Sequence, residues 1–338
     1  MKKIAIIGAG LSGLVLADYL SAMAEVTVFD KFHQVSGRMA TRVYPPYAFD
    51  HGAQFFTVKH AEFSNFIQPL ILAGVVAHWP ARFVEIDGHQ VQKARTWDET
   101  FPHYVGVPNM AAVGQYLQAQ LQQRQVAIRL NTLVACITRD DMQWRLSDAQ
   151  GIDLGSYDWV VTAMPAEQSA NLMPTSFAHH HVLSSIQMQP CYALMMGCEH
   201  SLNLAWDAAH VTNSILSWVS VNSTKPGRNA LFGKGAHCSV VAMSRNQWAA
   251  DHFNQPTDRV IANMLEAASQ IIGQTVLQPK LLQLKKWHYA NAQKLATAQV
   301  YLDATQQLAA CGDWCISGRV ESAFVSAHQL AQQLHLHL

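Results

Sequence analysis

Gly8-x-Gly10-x-x-Gly13, set between a short apolar run and a helical pattern, leaves this chain few folds to choose from. Residues 3–7 read as a buried parallel strand, residues 11–23 as a helix and residues 25–29 as the next strand, which is a βαβ unit. In that context each glycine has a task. Gly8 permits the tight turn, Gly10 lets the backbone approach a pyrophosphate, and Gly13 lets the helix pack closely on the strand. The helix start adds unpaired N–H groups and the positive end of its dipole, so a phosphate is the expected guest. Asp30 ends the second strand, where a carboxylate can accept both hydroxyls of an adenosine ribose. The plainer alternative is a carboxylate that only caps a turn. Lys2, Lys3 and the small residues at 22–24 imitate a signal peptide, but the strand resuming at residue 25 and the glycine spacing favour the dinucleotide reading.

A chain of 338 residues is long enough for two lobes. Lys+Arg and Asp+Glu both number 23, so there is no broad basic field for nucleic acid or an anionic membrane, and phosphate contacts must be local. No other run of apolar residues is long enough to span a bilayer. Six scattered cysteines match neither a disulfide framework nor paired zinc clusters, which points to a reducing, cytoplasmic compartment. Residues 110–124 read as a helix, 126–130, 134–137, 143–147, 159–163 and 308–311 as strands, and 320–334 as a helix. Two inserts are richer in Trp, His, Pro and Met, and the second carries a helical pattern over 260–271. The expected division is therefore a discontinuous dinucleotide domain from 1–61, 106–165 and 297–338, with a substrate domain from 62–105 and 166–296. The run His179-His180-His181 reads as a solvated loop, with metal binding as the alternative; no metal is expected.

The glycine motif alone does not separate FAD from NAD. The next segments bear on that choice. Ser36-Gly37-Arg38-Met39 places a glycine and a bidentate donor just past the ribose carboxylate, and Asp50-x-Gly52-Ala53-Gln54-Phe55-Phe56 places small residues beside aromatics. Here the chain resembles the flavin-containing amine oxidase superfamily, whose members follow the ribose carboxylate with a G-G-R-like segment reaching the pyrophosphate. Ser36 stands where the first of those glycines usually sits. The stretch Cys311-Gly312-Asp313-Trp314-Cys315 through Gly318-Arg319-Val320-Glu321 supplies the second half of such a site. By resemblance, Asp313 hydrogen-bonds the ribityl or pyrophosphate part of FAD, and the helix start near Val320 faces flavin N1 and O2.

Together with Ser223-Thr224-Lys225-Pro226-Gly227-Arg228, these segments are similar, in order and spacing, to the bacterial renalase family. The resemblance implies an α/β, Rossmann-type FAD-binding domain of the two-dinucleotide-binding-domain flavoprotein kind, with an inserted α+β substrate domain. It implies noncovalent FAD and a dihydropyridine nucleotide substrate: the 1,2- and 1,6-dihydro isomers of NAD(P) are oxidised to NAD(P)+, with O2 as electron acceptor. The cofactor set expected from these segments is Gly8, Gly10, Leu11, Ser12, Gly13, Asp30, Lys31, Gly37, Arg38, Met39, Gly52, Ala53, Gln54, Phe55, Val134, Gly312, Asp313, Arg319, Val320, Glu321 and Ala323.

Hydride loss from a dihydropyridine needs orientation more than a base. Gln54, Trp287 and Tyr289 are the expected orienting groups, because flat side chains can hold a pyridine ring parallel to a flavin. Phe56, Trp79 and Tyr192 are expected at the substrate, each with a core role as its alternative. Lys225 and Arg228, in a turn-like segment, either reach a substrate phosphate or are simply solvated. Cys311 and Cys315 read as small buried hydrophobes, not as a flavin attachment. An amine oxidase of the same fold is the competing enzyme, with Lys285 or Lys286 as its poised lysine, and a flavin-bound sensor or interaction protein is the non-enzymatic alternative.

Overall fold

Ile4 and Ile6 face one side of the first strand, Lys3–Ile7, and Ala5 and Ile7 face the other; all four are buried. A strand apolar on both faces belongs inside a parallel sheet covered on both sides. The computed structural model, which describes residues 1–228, 231, 237–273, 278–292 and 300–338, places it there. The six-stranded sheet runs Tyr301–Asp303, Leu308–Ala310, Trp159–Thr162, Lys3–Ile7, Glu25–Phe29, Ala127–Arg129. Its pairs are parallel except the first, which is antiparallel. Helices Leu11–Leu20, Ala112–Gln123 and Val320–Leu334 pack in the core on one face. The antiparallel sheet of Cys136–Asp140, Gln143–Ser147 and Asp153–Tyr157 contributes Trp144 and Leu146 to the core on the other.

The seven-stranded sheet takes its strands from two separated parts of the chain. Its order is Leu281–Ala292, Met188–Cys198, Cys238–Ser244, Leu216–Val221, Ala208–Thr212, Arg82–Asp87, Gln90–Thr96. Strand Met188–Cys198 alternates as the pleat requires. Tyr192, Leu194 and Met196 enter the core under helix Thr257–Ile272, while Ala193 and Met195 meet Tyr47 and Phe49 from the dinucleotide side. Leu281–Ala292 lies at the edge of this sheet, and it is the strand that crosses the functional site.

Several elements differ from the sequence expectation. The first helix ends at Leu20, where the chain turns into the second strand, and the strand expected at 134–137 is Cys136–Asp140. The histidine run is not wholly a loop, because His180–Ser185 is helical and His179 Nε2 lies 3.1 Å from the Leu302 carbonyl oxygen. Within residues 62–105, the helix Ala61–Leu72 packs on the C-terminal helix through Phe63 and Phe66 against Phe324. The boundary expected at 296/297 lies outside the described residues. Among the described residues no helix is long and apolar enough to cross a membrane.

Candidate functional site

Three glycines of the motif are held by three different constraints. Gly8 has φ +119° and its missing side chain would collide with the Ala163 carbonyl, while a side chain on Gly13 would drive into the Gly8 carbonyl. Both are glycine because backbone packs on backbone. A Cβ on Gly10 would meet nothing within 4 Å. That open space at a helix N-terminus, with no side-chain cap on Leu11–Leu20, is the observation by which these residues fit a flavin dinucleotide: its backbone N–H groups would hold the pyrophosphate. Gly37, at φ +52°, closes against Gly10, since a Cβ there would lie 3.2 Å from the Gly10 Cα.

Asp30 accepts the Ala9 N–H at 2.8 Å and the Phe32 N–H at 2.9 Å, so it ties the end of the second strand to the glycine turn. Burial pushes its carboxyl up, against those two N–H groups and Lys31. Val134 is buried in the loop whose Thr132 N–H binds the Asp30 carbonyl at 2.8 Å. Ser36 has φ +90°, a region that glycine enters at no steric cost and serine does not. Its hydroxyl donates to the Ala111 carbonyl at 2.9 Å, which offsets that strain.

Arg38 and Asp313 meet face to face. The guanidinium binds both carboxylate oxygens, one at 2.9 Å, and also the Ala290 carbonyl at 3.2 Å. Ser12 Oγ donates to the Ala323 carbonyl at 2.8 Å, joining the first helix to the last. Ala53 N–H binds the Arg38 carbonyl at 2.9 Å, and Gly52 has no room for a Cβ against the same carbonyl. Glycine loop, Arg38 segment, 50–54 segment and C-terminal turn therefore form one connected surface.

Behind residues 50–54 lies a buried ionic cluster. Asp50 binds Lys225 Nζ at 2.9 Å, the Arg228 guanidinium, the Thr41 hydroxyl at 2.7 Å and the Met110 N–H at 3.0 Å. Burial pushes its carboxyl up, but these four partners overcome that and hold it at about 2. Burial depresses Lys225 to about 8 in spite of Asp50. Two cations share one carboxylate, so the carboxylate is fully compensated and the cations are not. Arg228 Nε and Nη1 are buried with no hydrogen-bond partner among the described residues.

His51 and Trp287 stack, with centroids 5.3 Å apart and planes at 24°, and Trp287 Nε1 donates to the His51 carbonyl at 2.8 Å. Burial, then Arg42 and Lys285, hold the His51 imidazole down at about 3, so it is neutral at physiological pH. Burial pushes the Cys311 thiol up to about 12 and Cys315 well above its ordinary value, so neither is a ready nucleophile.

Comparison with known proteins identifies this arrangement. The family model for flavin containing amine oxidoreductase matches residues 98–335, and that for the NAD(P)-binding Rossmann-like domain matches residues 6–70. The chain belongs to the flavin-containing amine oxidoreductase family. It is a FAD-dependent oxidoreductase. Similar solved structures include a candidate protoporphyrinogen oxidase from Exiguobacterium sp. 255-15, at 13% identity and TM-score 0.78, covering 100% of this chain and 99% of that one. A putrescine oxidase bound to putrescine aligns at 12% identity and TM-score 0.74, covering 99% of each chain. Cyclohexylamine oxidase from Brevibacterium oxydans IH-35A aligns at 13% identity and TM-score 0.71, again over 99% of each. At these identities the likeness concerns the fold.

Within this family frame, several of the residues expected at a flavin or a substrate are engaged elsewhere. Glu321 accepts the N–H groups of Lys59 and His60 at 2.6 and 2.8 Å, capping helix Ala61–Leu72. Gln54 is spent on shaping its own turn: its amide N donates to the Asp50 and Gly52 carbonyls, and its oxygen accepts from Ser220, Asn222 and Lys225. Phe56 is buried between Tyr104 and Phe63. Trp79 is buried beneath the Lys225 ammonium, and Tyr192 is buried with its hydroxyl on the His252 and Phe253 carbonyls. Burial takes these three out of reach of a substrate. Lys225 and Arg228 are neither solvated nor open to a phosphate, because Asp50 holds them in the interior. Lys286 is occupied by the Phe253 carbonyl and ring.

Trp287 and Tyr289 share one face of the edge strand; Tyr289 is half-buried against the core that holds Trp314. Phe55, also half-buried, meets Trp97, His103 and Trp218. Lys31 and Arg319 are exposed, and Leu11 and Met39 are buried around the glycine turn. Gly312 packs under the Trp314 indole, and Val320 starts the last helix, whose N-terminus has no side-chain cap. His51 and Arg42 escaped the sequence reading. His51 fills the unassigned place in Asp50-x-Gly52, and only its stacking on a residue 236 positions away reveals it.

Proposed function

We propose that this flavoprotein, like the renalases it resembles, holds FAD noncovalently and oxidises 1,2- or 1,6-dihydro-NAD(P) to NAD(P)+. The observation that carries this reading is that the carboxylates around the site are already engaged. Asp30 is held by two backbone N–H groups, Asp50 by two cations, Asp313 by Arg38 and Glu321 by a helix start. None is free to hold a protonated amine or to take a proton from one. A dihydropyridine requires neither, because hydride departure leaves an aromatic pyridinium.

A bound flavin would supply the two-electron acceptor. The chain's task is then orientation: the glycine turn, Arg38 and Asp313 fix the cofactor, and Trp287, braced by the His51 carbonyl, offers a flat surface beside it. With O2 as terminal acceptor, the hydride and one proton leave as H2O2. High-lying, buried Cys311 and Cys315 thiols favour noncovalent attachment. Six cysteines without a disulfide suit a reducing, cytoplasmic setting. We place the domain division at 1–61, 106–165 and 297–338 against 62–105 and 166–296, with helix Ala61–Leu72 packed across that line on the last helix. The family match favours a second reading, oxidation of a small amine. Anaerobic mixing of the yellow protein with partly isomerised NADH and, separately, with primary amines decides between them. Bleaching by the dihydropyridine alone supports the proposal; bleaching by amines alone overturns it.

A further inference from the structure

The edge strand Leu281–Ala292 brings a second set of cations to the flavin surface. Its Ala290 carbonyl sits on Arg38, its Trp287 on His51, and Lys285, two residues before Trp287, lies with Nζ 4.8 Å from the centre of that indole. Lys285 is half-buried, and so is Arg42, whose guanidinium, among the described residues, makes one long hydrogen bond, 3.4 Å, to the Tyr44 hydroxyl. Among the described residues, neither Arg42, Lys285 nor Lys31 has a carboxylate partner. Burial, then Arg42 and Lys31, depress the Lys285 ammonium, with no acid nearby to restore it. Half-buried cations that repel one another are a standing cost unless an anion joins them.

A second observation comes from His51. The residue is 3% exposed, and its Nδ1 is buried with no hydrogen-bond partner among the described residues. His51 stacks on the Trp287 indole, over which Lys285 lies, and the pairing of Thr41 with Asp50 and of Arg42 with Phe49 sets the Arg42 strand beside it. A ligand phosphate would satisfy both half-buried cations at once: it accepts from a guanidinium and from an ammonium.

We propose that Arg42 and Lys285, set around the buried His51–Trp287 stack, form a phosphate-reading site that takes a phosphate of the nucleotide substrate. This rests on the dihydropyridine-nucleotide reading above. It adds the class of group recognised and the residues that recognise it. Arg38 is separate, because Asp313 already neutralises it.

The test uses the flavin-loaded protein and two substrates that share a reacting ring: an isomerised dihydronicotinamide dinucleotide, and the corresponding dihydronicotinamide riboside, which has no phosphate. ADP-ribose, which carries the phosphates without a reducible ring, serves as a binding probe followed by perturbation of the flavin spectrum. The expected result is that Arg42→Gln and Lys285→Met each weaken ADP-ribose binding roughly tenfold and shrink the preference for dinucleotide over riboside by a similar factor. Flavin content should stay at the wild-type level. Three results overturn the inference: wild-type protein that fails to bind ADP-ribose, variants that slow both substrates equally, or variants that lose flavin, which would give the cations to the cofactor's own pyrophosphate. If ADP-ribose binds and the variants abolish it while no dihydropyridine bleaches the flavin, the phosphate site stands and the proposed reaction falls.

Discussion

Side chains introduced at positions 10 and 13 should have opposite consequences. At Gly13 a Cβ meets the Gly8 carbonyl, so Gly13→Ala strains the contact between helix and strand and should lower the melting temperature of flavin-free protein. At Gly10 a Cβ meets only open space, so Gly10→Val should leave the flavin-free melting temperature unchanged while abolishing flavin uptake. Absorbance near the flavin band and a thermal scan separate the two, and a Gly10→Val protein that purifies fully yellow would refute the pyrophosphate assignment. Asp313 is a quieter case. Its loss leaves Arg38 with the Ala290 carbonyl and no counter-charge, but the Arg38 side chain is 28% exposed and water can solvate it. Asp313→Ala should therefore fold, and weaken flavin binding by about 1.5–3 kcal/mol, the worth of a charged hydrogen bond. A fluorescence titration giving the wild-type dissociation constant would reduce Asp313 to a turn residue that braces Arg38.

Between elements, the junction to examine is the one that fastens Tyr47–Asp50 to the 3₁₀ turn Asn222–Thr224 and the residues after it. Asp50 is its centre. Asp50→Asn would leave two buried cations facing each other, so the expected destabilisation is about 3–5 kcal/mol, measured by urea unfolding. Combining it with Lys225→Met should recover part of that loss; a triple-digit rise in flavin release with unchanged stability would instead assign Asp50 a cofactor role. The acid limb follows from sign. Asp50 is depressed from 3.8 to about 2, so its contribution is fully present above pH 3.8 and is lost as pH falls through about 2. Lys225 acts in the other direction. Its value falls from 10.5 to about 8, so burying its charge is a cost below pH 8 that is relieved as pH rises through that window toward 10.5.

At the scale of the molecule, the legible parts were those with local signals. The βαβ unit, the Arg38 segment and the C-terminal helix at Val320–Leu334 could be read because a glycine turn, an apolar period and a flanking acid lie within a few residues of one another. The ionic cluster could not, since Asp50 and Lys225 are 175 positions apart and nothing near Thr224 distinguishes a buried lysine from a solvated one. Trp79 and Tyr192 failed for the same reason: an aromatic residue has the same local signature in a core as at a substrate. What the assembled molecule adds is a site whose acids are all engaged and whose nearby imidazole is held neutral at about 3. Flavin reduction by a dihydropyridine should consequently vary little between about pH 6 and 8, because no protein base there changes its protonation. An amine must lose its proton before it can react, so its rate should rise about tenfold per pH unit below its pKa. Above pH 8 a modest change is expected even for the dihydropyridine, as Lys225 loses its proton and its grip on Gln54 loosens. Stopped-flow bleaching across this range measures both limbs in one series. A steep climb between pH 6 and 8 with the dihydropyridine itself would mean that some titrating group takes part in the step, and the hydride-only reading would have to be given up.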